Sequence, residues 1–440
     1  MKKRFLILSA IVFAGTMYAR EKKEITKTGY NFGPMPVVAY DADKGFQLGG
    51  ILQIFNYGDG HNYPNYDSKI FVEASFFNKG SQLYQLRYDN KELIPGVRWC
   101  SAFRANIDKA YDFYGFNGYQ SYYDYRRIEE GKSGESYSYT PYYRMQRNEF
   151  LLKTDFIGKI TDNFCWEAGL FANYFKTGLI DKDNINRGKS EKEAFPEDAV
   201  TLLEVYRDAG IISESEFGGG FAGGLRLGLV YDTRDKEGAP SRGIWAEGHV
   251  ALSPGFMSKN QYYRYSLTFR HYVPIVKNDA LTFAYRLNYE GNFGNSAPYY
   301  ALPYMTSIGE KQDLEGMGGY LTVRGIMRTR VLGLDMAAYN AEFRWRFARF
   351  NIGRQNIALA LNLFSDGAMV TRGRELPSSF RQRENDTPHI TFGAGFRFIM
   401  NENFIIAAEY GMPLTHLMKN SPLYNQDGTG SFYVNVGYLF

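Results

Sequence analysis

The chain has 440 residues, 22% of them charged, and a formal net charge of +4 at pH 7. So small an excess excludes the broad basic surface that nucleic-acid binding needs, and two cysteines exclude a disulfide-built scaffold. The composition is 17% aromatic (36 Tyr, 34 Phe) with 46 Gly, yet the mean hydropathy is −0.39. That combination is expected when only alternate residues meet an apolar medium, as in strands that cross a bilayer.

In chain order, Lys2, Lys3 and Arg4 precede an apolar run over 5–15 and a small-residue exit at Ala19. This reads as a cleaved secretory signal peptide over 1–19, its apolar core too short to span a bilayer as a helix. No cysteine near the exit suggests a lipid anchor. A short periplasmic segment, 20–34, and a single barrel domain, 35–440, are expected to follow.

Period-two alternation then recurs to the end of the chain. Tyr263, Tyr265, Leu267 and Phe269 alternate with Arg264, Ser266, Thr268 and Arg270, and Tyr339, Ala341, Phe343, Trp345 and Phe347 with Asn340, Glu342, Arg344 and Arg346. The last segment sets Phe432, Val434, Val436, Tyr438 and Phe440 against Tyr433, Asn435 and Gly437. Strands are expected to start near Val37, Phe46, Ser68, Gln82, Val97, Asn148, Asn163, Gly220, Arg242, Tyr262, Leu281, Met336, Ile357, Ile390, Asn403 and Phe432, about sixteen in all.

Charges of both signs on the polar face suit a wet lumen rather than a dry core, and aromatics near strand ends suit a membrane girdle. A sheet in lipid must also close, because unpaired edge amides find no partners there. The fold class is therefore all-β, a transmembrane antiparallel β-barrel. An even strand count puts both termini on one side. Long connections near 108–147, 179–219, 292–335, 366–389 and 411–431 fall outside, and short turns such as 160–162 and 400–402 inside. Pro34 and Pro36 lead into a first strand expected to be short, which predicts a weakly hydrogen-bonded seam with the last. Cys100 and Cys165 fall on strands separated by one other, roughly 10 Å apart, beyond the reach of about 7 Å for a disulfide.

Motifs for chemistry are sparse. The histidines show no metal-ligand spacing and no nucleophile elbow is present, so neither enzyme activity, metal nor cofactor is expected. Gly218, Gly220 and Gly223 have dinucleotide-loop spacing but lead into a strand. The triplets Gly131-Lys132-Ser133 and Gly188-Lys189-Ser190 lack the earlier glycine of a phosphate loop.

The informative segment is Gly318-Gly319-Tyr320-Leu321-Thr322-Val323-Arg324-Gly325, in the longest late loop. It resembles the loop signature of the bacterial surface-antigen (BamA/TamA-like) superfamily of outer-membrane barrels. Three more segments resemble that family in order and spacing: Tyr231-Asp232-Thr233-Arg234-Asp235 with Pro240 and Gly243, a mid-barrel turn; Phe364-Ser365-Asp366-Gly367, a strand end; and the terminal strand ending at Phe440. The resemblance implies that the late loop folds into the lumen and that Arg324, flanked by Val323 and Gly325, locks onto strand carboxylates. From the residues alone, Glu342 and Asp366 lie on polar strand faces and read first as ordinary luminal charges. With the resemblance they become the expected acceptors, in bidentate geometry. Ile326 stands where the family places an aromatic, which predicts a looser loop tip. The family's periplasmic POTRA-type repeats are missing from the pattern.

The expected function is non-enzymatic: assisting insertion or translocation of protein or lipid at the bacterial outer membrane. The expected partners are outer-membrane lipid and lipopolysaccharide, with periplasmic or outer-membrane proteins as further candidates. The resemblance also implies that the seam is a lateral gate, where the residues alone read equally as a normal strand start, and that Phe440 is an assembly signal. Three rivals stand beside it: a passive diffusion pore, an adhesin-like surface protein using the Tyr-rich loop 111–143, and a barrel lipase.

Overall fold

In the computed structural model the polar–apolar alternation becomes one sheet of 16 consecutive antiparallel strands. The structure describes residues 24–41, 44–121, 123–125, 140–191, 194–276, 279–309 and 314–440. The signal peptide and the Gly131-Lys132-Ser133 triplet lie outside these. The strands are β1 (Tyr30–Asp41), β2 (Gly45–Asn56), β3 (Ser68–Phe77), β4 (Gln82–Ile94), β5 (Val97–Asp112) and β6 (Arg144–Lys159). There follow β7 (Phe164–Gly178), β8 (Gly219–Asp232), β9 (Gly243–Ser253), β10 (Tyr262–Pro274) and β11 (Leu281–Asn292). The last five are β12 (Asp335–Ile352), β13 (Gln355–Arg372), β14 (His389–Met400), β15 (Phe404–Pro413) and β16 (Ser431–Val436).

Each strand pairs with its chain neighbour, so register follows from hairpin geometry. On β10, Arg264, Ser266, Thr268 and Arg270 are buried while Leu267 is 55% exposed, and on β12 Asn340, Glu342 and Arg344 are buried while Phe343 is 50% exposed. Charged side chains thus point into the barrel and large apolar ones out, the inverse of a soluble sheet. Gly218, Gly220 and Gly223 do run into strand β8. Cys100 on β5 and Cys165 on β7 are free, with β6 between them.

Both ends of the sheet differ from the sequence expectation. β1 has 12 residues and contains Pro34 and Pro36 rather than following them. Register explains how. The Tyr57 amide donates to the Gly29 carbonyl at 2.9 Å, and Tyr30 faces Asn56. The parity of that ladder turns the ring nitrogens of Pro34 and Pro36 away from β2, where no donor is lost. At the other end β16 stops at Val436 and does not run to Phe440. Gly437 has φ +92°, a left-handed conformation that glycine adopts without strain. Beyond it Phe440 turns inward and is 2% exposed, packed with Tyr272, Ala284 and Leu439. The hydrogen-bonded order starts at β1 and ends at β16. Near that seam β1 comes so close to β15 that a Cβ on Gly33 would sit 2.3 Å from the Phe404 ring.

Candidate functional site

The described residues of the loop 293–334, between β11 and β12, turn into the lumen. Arg324 sits deep in it, 0% exposed. Its Nε donates to Asp366 Oδ2 at 2.8 Å and its Nη2 to Asp366 Oδ1 at 2.9 Å, a two-toothed grip that the planar guanidinium geometry favours. The Arg324 backbone N–H donates to the same Oδ2 at 3.0 Å. Nη1 reaches Glu342 Oε1 at 2.6 Å and Glu409 Oε1 at 2.9 Å. The Phe364 ring lies 3.6 Å from the guanidinium carbon.

The partners come from three neighbouring strands, Glu342 from β12, Asp366 from β13 and Glu409 from β15, with Arg397 reaching in from β14. Arg397 binds Glu342 Oε2 at 3.1 Å and Glu409 Oε1 at 2.7 Å, and Arg344 Nε donates to Glu342 Oε2 at 2.7 Å. Asn362 Nδ2 adds a hydrogen bond to Glu409 at 2.9 Å. Three guanidiniums thus meet three carboxylates. Buried charges are tolerable only when paired and hydrogen-bonded in this way.

The flanking residues set the loop's approach. Val323 is fully buried among Met317, Val331, Met336, Ala338, Ala368 and Val370, and Ile326 belongs to the same apolar cluster. The loop tip is therefore packed rather than loose, because an aliphatic side chain fills the space. Gly325 has φ +96°, and a Cβ there would lie 2.7 Å from the Gly411 carbonyl carbon. Its N–H donates to the Tyr433 hydroxyl on β16 at 3.0 Å. Only glycine fits so close to the β15 backbone.

Other ties were not foreseen. Arg328 crosses to β5, binding Asp108 at 3.1 Å and Asp112 at 2.9 Å. Arg330 donates to the carbonyls of Gln426 (2.8 Å), Gly118 (2.8 Å) and Ser121 (3.0 Å) in the outer loops. The first half of the loop is tied to strands on the other side of the lumen. Arg264 donates to Ala301 O at 3.1 Å, Arg147 to Tyr300 O at 3.1 Å and Lys153 to Ser307 O at 2.9 Å. Above it the long loops form an aromatic cap. Tyr111, Tyr114, Tyr123 and Tyr143 are buried there with Phe113, Phe116, Tyr206 and Tyr299, so the described tyrosines of loop 111–143 pack inward.

A second polar cluster closes the cap. His389, at the start of β14, is flanked by Asp427 at 2.6 Å and Asp386 at 3.1 Å, and Tyr119 stacks on its ring at 3.6 Å. Tyr119 OH also donates to Asp427. Burial pushes the Asp427 carboxyl up, but the facing His389 and Arg330 and the donated hydrogen bonds outweigh it, holding the group below the ordinary carboxylate value. Phe440 borders the Arg324 node through Arg344. Its carbonyl oxygen accepts from Arg344 Nη2 at 3.0 Å, and Arg344 and Arg286 lie 4.6 and 5.6 Å from its ring centre. Among the described residues no group of His, Cys, Asp or Glu is arranged to hold a metal.

Compared with known families, residues 117–440 match the Omp85 superfamily domain. The chain belongs to the Omp85 superfamily. Among solved structures it is similar to BamA from Haemophilus ducreyi lacking POTRA domains 1-3, with a TM-score of 0.52 and 15% identity over 94% of this chain and 70% of that one. CdiB from Escherichia coli gives a TM-score of 0.53 and 11% identity, and CdiB from Acinetobacter baumannii 0.50 and 13%. This chain spans 63% and 60% of those two CdiB chains. At these identities the likeness establishes the barrel fold. No curated protein matches the chain. Omp85 membership implies the bacterial outer membrane, and among the described residues no POTRA-type domain accompanies the barrel.

Proposed function

We propose that this Omp85 barrel is a non-enzymatic helper of protein or lipid insertion or translocation at the outer membrane, with Arg324 as the latch of its luminal loop. The observation that carries the reading is the Arg324 guanidinium at 0% exposure, shared among Asp366, Glu342 and Glu409. The loop is fastened by side-chain ties, with this buried node at their centre and Arg328 and Arg330 around it, so releasing it leaves uncompensated buried charges and is costly. The family membership supports the general role. The inward packing of loop 293–334 supports a gated barrel over a passive pore. Outer-membrane lipid and lipopolysaccharide are the surroundings of the apolar face, and protein partners would meet the periplasmic turns. Residues 1–19 act in this reading as the cleaved export signal, and Phe440 as part of the assembly signal.

Reconstitution into vesicles tests the reading. The intact chain should speed the folding of an added unfolded outer-membrane barrel, and Arg324→Ala should slow that step while raising bilayer conductance. No acceleration, together with a wide steady pore that Arg324→Ala leaves unchanged, would establish the diffusion-pore reading instead.

A further inference from the structure

The mid-barrel turn 233–242, joining β8 to β9, is not used by the Arg324 latch, yet its sequence is distinctive. Asp235 Oδ1 accepts the N–H groups of Ser241 (3.0 Å) and Arg242 (3.1 Å), closing the turn on itself. Gly243, at φ +102°, lets the chain re-enter β9 where a Cβ would lie 2.2 Å from Thr233 O. So shaped, the turn does not hang below its own hairpin. It reaches across the barrel mouth.

Its contacts lie on distant strands. Ala239 is 0% exposed, packed with Ala358 and Ala360 of β13, Ile399 of β14 and Ile405 of β15. Arg346 of β12 donates to its carbonyl at 3.1 Å. A Cβ on Gly238 would lie 2.3 Å from Asn403 Oδ1. On the other side Glu237 pairs with Lys91 of β4 at 2.8 Å and Arg98 of β5 at 3.2 Å. Its N–H donates to Asn65 Oδ1 at 3.1 Å, in the loop between β2 and β3. Lys236 reaches Glu402 at 3.4 Å and Asp279 at 3.8 Å, and Glu402 pairs with Arg346 at 2.9 Å. Asn403 completes the floor by donating to Tyr57 OH at 2.9 Å and Pro64 O at 2.6 Å. A hairpin turn with no role beyond reversing the chain would bond to itself and to its own strands. This one is tied to six other strands and three other turns or loops around the mouth.

We propose that turn 233–242 is a stopper at the end of the barrel opposite the aromatic cap, a second closure of the lumen separate from the Arg324 latch, which must swing aside before a chain or lipid can enter from that end. It rests on the reading above only in taking this end as periplasmic. The closure itself is a property of the fold and is tested separately.

Ala360, inward-facing and 1% exposed beneath the turn, is the reporter. In the full chain with Cys100→Ser and Cys165→Ser, Ala360→Cys is treated with a water-soluble maleimide in detergent. The closed turn should make labelling slow. Glu237→Gln with Arg346→Gln should speed it by about tenfold or more, since labelling follows the population of locally opened molecules. Ala239→Asp, which puts an unpaired charge into the apolar contact and leaves the ionic ties intact, should do the same, so the test survives if one variant fails to fold. Arg324→Ala should leave the rate within about twofold, since the two closures open as separate local units. Fast labelling of Ala360→Cys with the native turn, unchanged labelling in both turn variants, or equal acceleration by Arg324→Ala would each overturn the proposal. None of these outcomes depends on whether the barrel assists insertion.

Discussion

At the residue scale the Arg324 node is balanced, three cations against three anions, and that balance is what a substitution breaks. Arg324→Ala leaves Asp366 without its two-toothed partner, and a buried charge stripped of its partner costs about 3–5 kcal/mol. Arg324→Lys keeps the charge but loses the planar fork, so it should fall between the two. Both are expected to make the segment around 318–330 sensitive to protease at temperatures where the native loop resists, with Ala the more sensitive. Equal resistance in all three proteins would argue against a load on this side chain. Arg324, Glu342 and Asp366 were legible in the sequence because a loop motif and strict alternation picked them out. Glu409 and Arg397 were not, since the strand tilt that brings β14 and β15 to the loop tip is a tertiary property. A signal existed: Glu409 shares its inward face with Ile405 and Ala407, and a lone carboxylate among apolar positions asks for a partner.

At the element scale most strand starts were legible to within two residues, those at Tyr30 and Arg144 excepted, because period-two alternation and a lipid-facing surface leave one choice of face. The ends were not. The pattern 432–440 keeps its alternation until Leu439, yet the strand breaks at Gly437 because Tyr438 and Phe440 find guanidinium and aromatic surfaces inside the barrel. Phe440→Ala should therefore cost about 3–5 kcal/mol of local packing, read as a lower midpoint for thermal unfolding in detergent, besides any loss of assembly yield. An unchanged midpoint would place Phe440 outside the folded core.

The outer loops make an element-scale prediction of their own. Asp427 holds its pKa below the ordinary value of 3.8 through His389, Arg330 and Tyr119. A depressed carboxylate contributes stability that is complete above its unfolded pKa and is lost as pH falls through the folded one. Loop 414–430 should thus be protected from hydrogen exchange at pH 7 and lose protection as the medium is acidified below about pH 4. His389→Phe should remove the protection already at pH 7. Protection that does not change between pH 7 and pH 3 would leave the cluster without an electrostatic role.

At the scale of the whole molecule the same sign recurs at the opposite mouth. Burial raises Glu237, but Arg98, Lys91 and Arg234 hold it below the usual carboxylate range, and Arg346 and Lys236 do the same for Glu402. Acid should therefore loosen cap and floor together. The barrel between them is a ladder of backbone hydrogen bonds, which does not titrate. Bilayer recordings separate the two kinds of bonding. At neutral pH the intact protein should conduct in rare, brief steps, because cap, loop 293–334 and turn 233–242 lie in series. Below about pH 4 openings should become more frequent, because two of the three closures in series loosen, and they should reverse on neutralisation, with the heat-shifted gel band of a folded barrel retained throughout. Acid-induced openings accompanied by loss of that band would mean that the ladder, not the closures, had given way, and the separation of ionic closures from a backbone-bonded wall would fail.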